Sequence, residues 1–287
     1  MTTAVPAQAP ASPFSGLISV AMQRYGGIPL WILVWGWVGL VFLPMINTAM
    51  QAFSRGWFTG LLPQEWTFEF VVRTQLELDM ANKLANSVII AFLVVVISIA
   101  IALPAAYGLA RFNFRGKAVL SIFLLIPILL PPLTYGISIA QIMIAIGLDN
   151  THLGIALAQA VDVTPFVLLM LRGVITGIPV ALEEQAETLG ANRIQVFRRV
   201  ILPMILPGLA SAVAWAVAKS FSEVPLTILV FGANTQTLAT TLFSNFDSST
   251  SSPSRDAALV LWLFLPSAIL LIATMRFMKA ETITIKG

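Results

Sequence analysis

Residues 183–203 read EEQAETLGANRIQVFRRVILP, and they stand out because the chain on either side is almost entirely apolar. Glu183, Glu184, Glu187, Arg193, Arg198 and Arg199 place six charges within this short stretch. Its first half, from Pro179 to Leu189, opens on a proline followed by acidic residues, a pattern that favours a helix start. Gly190 breaks that helix, and Asn192 is suited to cap a second one over 193–200. Pro203 is then expected to turn the chain back into an apolar run. In the second helix Arg193, Gln195, Arg198 and Arg199 alternate with Ile194, Val196, Phe197 and Val200, which makes it amphipathic. Two short helices meeting at an angle on a membrane surface form a knob, and such a knob suits a groove on a soluble partner.

Composition sets the frame for that loop. Of 287 residues 58% are hydrophobic and 10% charged, and mean hydropathy is +0.90. Soluble domains carry about 25% charged residues, so the chain belongs with polytopic membrane proteins. The sixteen basic groups are scattered, form no basic face, and give no reason to expect nucleic acid. Cysteine is absent, which excludes disulfides and thiolate metal sites. The single His152 cannot build a histidine metal site and reads as a polar loop residue. No metal ligand set and no catalytic group is expected. Residues 1–27 lack a basic region ahead of an apolar one, so they read as a flexible cytoplasmic tail and not as a cleavable signal.

Apolar runs of membrane-spanning length fall at about 28–50, 86–109, 118–142, 153–175, 204–231 and 257–278. The expected fold is therefore all-α, with six transmembrane helices. Units are expected at 1–27 (tail), 28–84 (first span and external loop), 85–278 (main membrane domain, with loop 176–203) and 279–287 (cytoplasmic tail). With the N-terminus inside, eleven Lys and Arg fall on internal segments and four on external ones. The positive-inside rule then makes both termini and the 176–203 loop cytoplasmic. Prolines punctuate the spans, most densely in IPILLPPLTYG at 126–136. Each removes a backbone donor, so that stretch is either a curved packing helix or a broken helix beside a pathway.

The pattern Glu184-Gln185-Ala186, three residues, Gly190, nine residues, then Val200-x-Leu202-Pro203 resembles the EAA loop of binding-protein-dependent ABC importer permeases. Gln185 stands where that family has Ala, and Val200 where it has Ile. Similar stretches include ANSVIIA (85–91), AYGLARFNFRG (106–116), GLDNTHLGIAL (147–157) and ILPGLASAVAWAVAKSFSEVPLTILVFG (205–232). The style of the fifth span and of TQTLATTLFS (235–244) is most similar to the spermidine/putrescine permease C-type subunits, which are close to permeases for ferric iron and aminoethylphosphonate. Ser222 departs from the polyamine pattern, where Asp is usual. The resemblance implies a type I ABC importer permease fold with no activity of its own. It implies a second permease subunit, two cytoplasmic ATPase subunits that hold the ATP and Mg, and an extracytoplasmic solute-binding protein. The coupling loop would comprise Glu183, Glu184, Ala186, Glu187, Gly190, Val200, Leu202 and Pro203, with the glutamates pairing with basic groups on the ATPase. No ATP site is legible in the chain itself. A Walker A loop ending at Gly116-Lys117 would need Gly at 111 and Ser or Thr at 118, where Arg111 and Ala118 stand.

Polar groups inside spans are costly and must face a cavity or a partner. Gln159 and Asp162 fall in the fourth span, and Lys219, Ser220, Ser222 and Glu223 in the fifth. At i,i+4 spacing Lys219 and Glu223 neutralise each other in one reading. In the other, Gln159, Asp162, Lys219, Ser222 and Glu223 line a translocation path, with carboxylates suited to a cationic solute and Lys219 to an anionic one. Two further classes compete. A stand-alone ion-coupled secondary transporter would be expected to show an inverted repeat, and none is evident. An intramembrane enzyme would need a nucleophile and a base, and one loop histidine with no cysteine supplies neither pattern.

Overall fold

The computed structural model describes residues 27–55, 57, 62–246 and 252–284. The tail expected over the first residues lies outside the described part, as do the last three residues. The described elements are helical, and among them the one β contact is an isolated bridge between Ser54 and Trp66. Among the described residues five helices are long and apolar enough to cross a membrane, and two shorter helices joined at a sharp bend pass the same test together. Length and composition thus give five spans, or six with the bent pair counted as one, against the six that the apolar runs predict.

Helix α1 (Gly27–Ala52) is exposed along its apolar length and touches the rest of the chain mainly at its end, where Ala52 meets Ala257 and Ala258. Phe53 and Phe68, with ring centroids 5.3 Å apart, close the start of the following loop. That segment was expected only as an external loop. It contains a helix, α2 (Glu69–Leu78), whose Thr74 is buried and whose Phe70 and Val71 pack on the alanines at 257 and 258. Asp79, at φ 48°, turns the chain directly into α3 (Met80–Arg111).

Helices α3 and α6 (His152–Thr176) form the largest helix–helix contact and the centre of the core. Small residues make it possible. Ala102, Ala106, Ala156 and Ala158 are fully buried, so the two backbones approach closely, as membrane helices do where no apolar driving force separates protein from lipid. Thr164 donates to Ser98 across this seam at 3.2 Å.

The expected third span is broken. Helix α4 (Lys117–Leu129) and helix α5 (Pro132–Ala145) meet at 100°. Leu130 precedes a proline and is driven out of the α region, to φ −100°, ψ 138°, and Pro131 follows it extended at ψ 133°. Pro132 then starts a new helix, where its missing N–H costs nothing. The proline-rich 126–136 stretch is therefore a break and not a curved packing helix. His152 is the first residue of α6 and not a loop residue. Its Nε2 lies 2.8 Å from Asn86 Oδ1, and Asn86 donates to the carbonyls of Asn234 and Gln236.

After α6 come α7 (Ala181–Thr188), α8 (Arg193–Val196), a π-helical turn (Phe197–Ile201) and α9 (Leu202–Ser222). The expected turn at Pro203 does not occur, because residues 193–222 run on as one span-length helix. Pro203 cannot donate to the carbonyl four residues back, and the widened turn absorbs that defect. Leu202 N–H reaches Phe197 O, five residues back. At the other end the helix stops at Ser222 and not at 231, since Pro225 forces Val224 out of the helical region. Helices α10 (Thr227–Val230), α11 (Leu238–Phe246) and α12 (Pro253–Thr284) complete the chain. Helix α12 continues past 278 through most of the tail expected at 279–287.

Candidate functional site

The loop between α6 and α9 is a knob whose shape is set by two local motifs. Gly190 has φ 88°, a region closed to most side chains, and it ends α7. Gly190 N–H donates to Glu187 O at 2.9 Å and Ala191 N–H to Ala186 O at 3.0 Å, the paired bonds of a Schellman motif. Two residues on, Asn192 caps α8. Its side chain accepts from Gln195 N–H at 2.9 Å, and Gln195 Oε1 accepts from Asn192 N–H at 2.8 Å. The cap predicted from Asn192 is present, and the turn between the helices is hydrogen-bonded on both sides.

The knob is anchored to the end of α3. Arg111 Nε and Glu183 Oε1 form a buried ion pair at 2.5 Å, and Tyr107 donates its hydroxyl to Glu183 Oε2 at 2.9 Å. Arg111 also donates to Ile178 O at 3.0 Å. Phe197 sets its ring edge-on to Tyr107, with centroids 5.5 Å apart, and Val196 and Ile201 are buried beneath it. Glu183 is therefore committed inside the chain, and the expectation that it pairs with a partner protein is corrected. Glu184 and Glu187, one and four residues on, are exposed. The tip also carries two bare aliphatic side chains, Leu189 at 89% and Ile194 at 70% exposure. Ile194 was expected on the apolar face of its helix; it points away from the core. Ala186, Val200, Leu202 and Pro203 are half-buried and form the underside.

A second constellation lies within the spans. Asp162 and Lys219 form an ion pair at 2.9 Å, with the Asp162 side chain 6% and the Lys219 side chain 33% exposed. Tyr135, on α5 just past the break, donates to Asp162 Oδ1 at 3.3 Å. Gln159, one turn before Asp162, donates to Thr227 Oγ1 at 2.7 Å and accepts from Ser220 Oγ at 2.6 Å. Glu223 does not meet Lys219. Because α9 ends at Ser222, the i,i+4 geometry does not exist, and the Glu223 carboxylate instead starts α10. It accepts from Leu226 N–H and Thr227 N–H at 3.0 Å each and from Thr227 Oγ1 at 2.8 Å. Ser222 stands apart from the group. It donates to Ala218 O and Lys219 O, both at 3.1 Å, and lies beside Phe221, Leu263 and Phe264 in a groove between α9 and α12.

Sequence reasoning missed Tyr107, Arg111, Tyr135 and Thr227. Tyr107 and Tyr135 had a local signal, a hydroxyl-bearing ring within an apolar run, and Thr227 one in its spacing four after Glu223; Arg111 met Glu183 only through a contact distant in sequence. Among the described residues no group of three or more His, Asp or Glu side chains could hold a metal ion.

Residues 98–280 match the family described as binding-protein-dependent transport system inner membrane component. Over 175 residues the chain is 33% identical to the diacetylchitobiose uptake system permease protein DasC of Streptomyces coelicolor, covering 61% of this chain and 62% of that one. It is 30% identical over 196 residues to the molybdate/tungstate transport system permease protein WtpB of Pyrococcus abyssi, covering 66% and 77%. It is 29% identical over 205 residues to the sulfate transport system permease protein CysT of Salmonella typhimurium, covering 67% and 70%. The match thus spans less than two thirds of the length of DasC. Among solved structures, a bacterial ABC transporter for import of the acidic polysaccharide alginate superposes with TM-score 0.71 at 18% identity, covering 94% of this chain and 99% of that one. The MetNI methionine ABC transporter gives 0.58 at 20%, covering 74% and 96%. At these identities the likeness is one of fold.

Proposed function

The chain belongs to the family of binding-protein-dependent transport system inner membrane components, and on that premise we propose that it works through the 181–202 knob as the coupling permease of an ATP-driven importer. The observation that carries this reading is the knob itself. It is stapled by Gly190 and Asn192, anchored on α3 through Glu183, and presents Glu184, Glu187, Leu189 and Ile194 outward. A rigid body with bare aliphatic side chains and unpaired charges at its tip is built to seat in a partner. The partner is a cytoplasmic ATPase subunit, present twice. It supplies ATP and Mg, for which this chain has no legible loop. Both termini and the knob are cytoplasmic, in keeping with the distribution of basic residues. An extracytoplasmic binding protein delivers the solute, and a second permease subunit, a homologue or a copy, completes the pathway.

The spermidine/putrescine reading of the solute stands on the resemblance of the fifth span and of 235–244. The relatives above carry diacetylchitobiose, molybdate or tungstate, and sulfate in their names. A ligand screen on the binding protein decides among these classes, with ferric iron and aminoethylphosphonate in the panel. The test of function is co-purification with the products of neighbouring genes. Two permease domains should be recovered with two ATPase domains, and hydrolysis should rise with the loaded binding protein. Uptake by this chain alone, driven by an ion gradient without an ATPase, would replace the reading with that of a secondary transporter.

A further inference from the structure

The ion pair of Asp162 and Lys219 is one end of a larger patch. Phe166 lies one helical turn after Asp162 on α6, and Trp215 one turn before Lys219 on α9. Their rings stand 4.7 Å apart at 39°. Tyr135 closes the group from α5, through its bond to Asp162. Tyr135, Phe166, Trp215 and Lys219 are each only half-buried, so part of each side chain stays accessible. The charges that remain accessible are unequal. Asp162 is buried beneath Lys219 and neutralised by it, and Glu223 is buried with three donors already on its carboxylate. A third of the Lys219 side chain is exposed, and an ammonium has three donors, of which Asp162 uses one. The patch therefore offers an aromatic shelf beside one available cation, and no carboxylate.

We infer that Tyr135, Phe166, Trp215 and Lys219 form a solute contact in the translocation path, and that its chemistry selects an organic anion with a flat C–H-bearing face. The anionic group approaches the free donors of Lys219, and the flat face lies on the rings. A polycation would meet the exposed ammonium and find no carboxylate to offset the repulsion, which is the reverse of what a path lined by Asp162 and Glu223 would select. The inference rests on the proposed role of the chain as a permease and gives that role a substrate class.

The chain contains no cysteine, so a single thiol can be placed in the patch and read on this chain by mass. In the assembled complex, Phe166→Cys and separately Trp215→Cys are treated with two small methanethiosulfonates of opposite charge, one sulfonate and one trimethylammonium. The ratio of the two rates removes the effect of Lys219 on thiol ionisation. The anionic reagent should react at least about threefold faster than the cationic one, since the ammonium is the exposed end of an ion pair whose carboxylate is buried, a weaker bias than that of a lone unit charge. Adding Lys219→Gln should bring the ratio to one or below it, since Asp162 then has no cation beside it. Faster reaction with the cation, a ratio unchanged by Lys219→Gln, or no labelling at either position would each overturn the inference. Co-purified ATPase and its stimulation by the binding protein are measured on the same preparation. Loss of those would count against the proposed function, and not against the patch.

Discussion

Replacing Arg111 with Met should undock the knob while leaving the membrane core intact. Glu183 is held by two groups, the Arg111 guanidinium at 2.5 Å and the Tyr107 hydroxyl at 2.9 Å, and both charged side chains are about nine-tenths buried. Removing the cation leaves a buried carboxylate with a single hydrogen bond, and breaking one side of such a pair costs about 3–5 kcal/mol. At about 1.4 kcal/mol per factor of ten, that shifts the docked-to-undocked ratio at least about a hundredfold. Hydrogen exchange on the assembled complex reads this directly. Amides of 181–202 should lose about two orders of magnitude of protection, while those of α3 and α6 around Ala102 and Ala156 should not change. Removing both partners, as Arg111→Met with Glu183→Met, leaves no orphan charge and should be milder than Arg111→Met alone. Wild-type protection and uptake in Arg111→Met would refute the anchoring role. A double variant worse than Arg111→Met would refute the pairing.

The neighbouring glutamate should behave in the opposite way. Glu184→Lys sits on the exposed face and should leave exchange protection unchanged while lowering stimulated ATP hydrolysis and uptake; normal rates of both would remove it from the interface. At Gly190 an added Cβ would meet nothing within 4 Å, so only backbone strain is charged. Gly190→Ala should cost about 1–2 kcal/mol from the left-handed φ, with Gly190→Val worse. Gly190→Pro should be the most damaging, because Pro cannot adopt φ 88° and loses the bond to Glu187 O. Equal stimulation in all three would show that the turn is not needed. Outside the spans, Glu77 accepts from Arg73 at 2.5 Å and faces Arg255 at 2.8 Å, and Arg73 above all holds its carboxyl below the ordinary 4.5. The tie of α2 to α12 should be complete above pH 4.5 and fail as the pH drops through the lowered value; a distance between spin labels on the two helices that is unchanged from pH 7 to pH 3 would contradict this.

Where the sequence was informative, a local rule acted without competition. Gly190, lacking a Cβ, took a positive φ and Asn192 capped its helix, and the Leu130-Pro131-Pro132 run broke the helix as pre-proline sterics require. The errors came from treating one local rule as sufficient. Lys219 and Glu223 are four apart, but that spacing makes neighbours only while the helix continues, and Pro225 ended it at Ser222. Pro203 suggested a stop, but a π-helical turn let the helix pass through it. Glu183 and Glu184 are indistinguishable as adjacent acids. Which of them faces inward was decided by Arg111, 72 positions earlier on another helix. No window of sequence contains both.

The unbroken run from Arg193 to Ser222 has a mechanical consequence. Thirty residues at 1.5 Å each make a lever about 45 Å long, from the tip of the knob to the end of α9. A tilt of about 5° at one end displaces the other by about 4 Å, more than enough to separate an ion pair now at 2.9 Å. Lys219 lies three residues from the far end of that lever and Arg193 forms the near end. The π-helical turn at Phe197–Ile201 is the softest place along it, because its wider hydrogen-bond ring can tighten by one residue. Gearing between the two ends is then set at that turn. A shorter, all-α version of the lever would rotate the patch by about one residue, roughly 100°, relative to the knob.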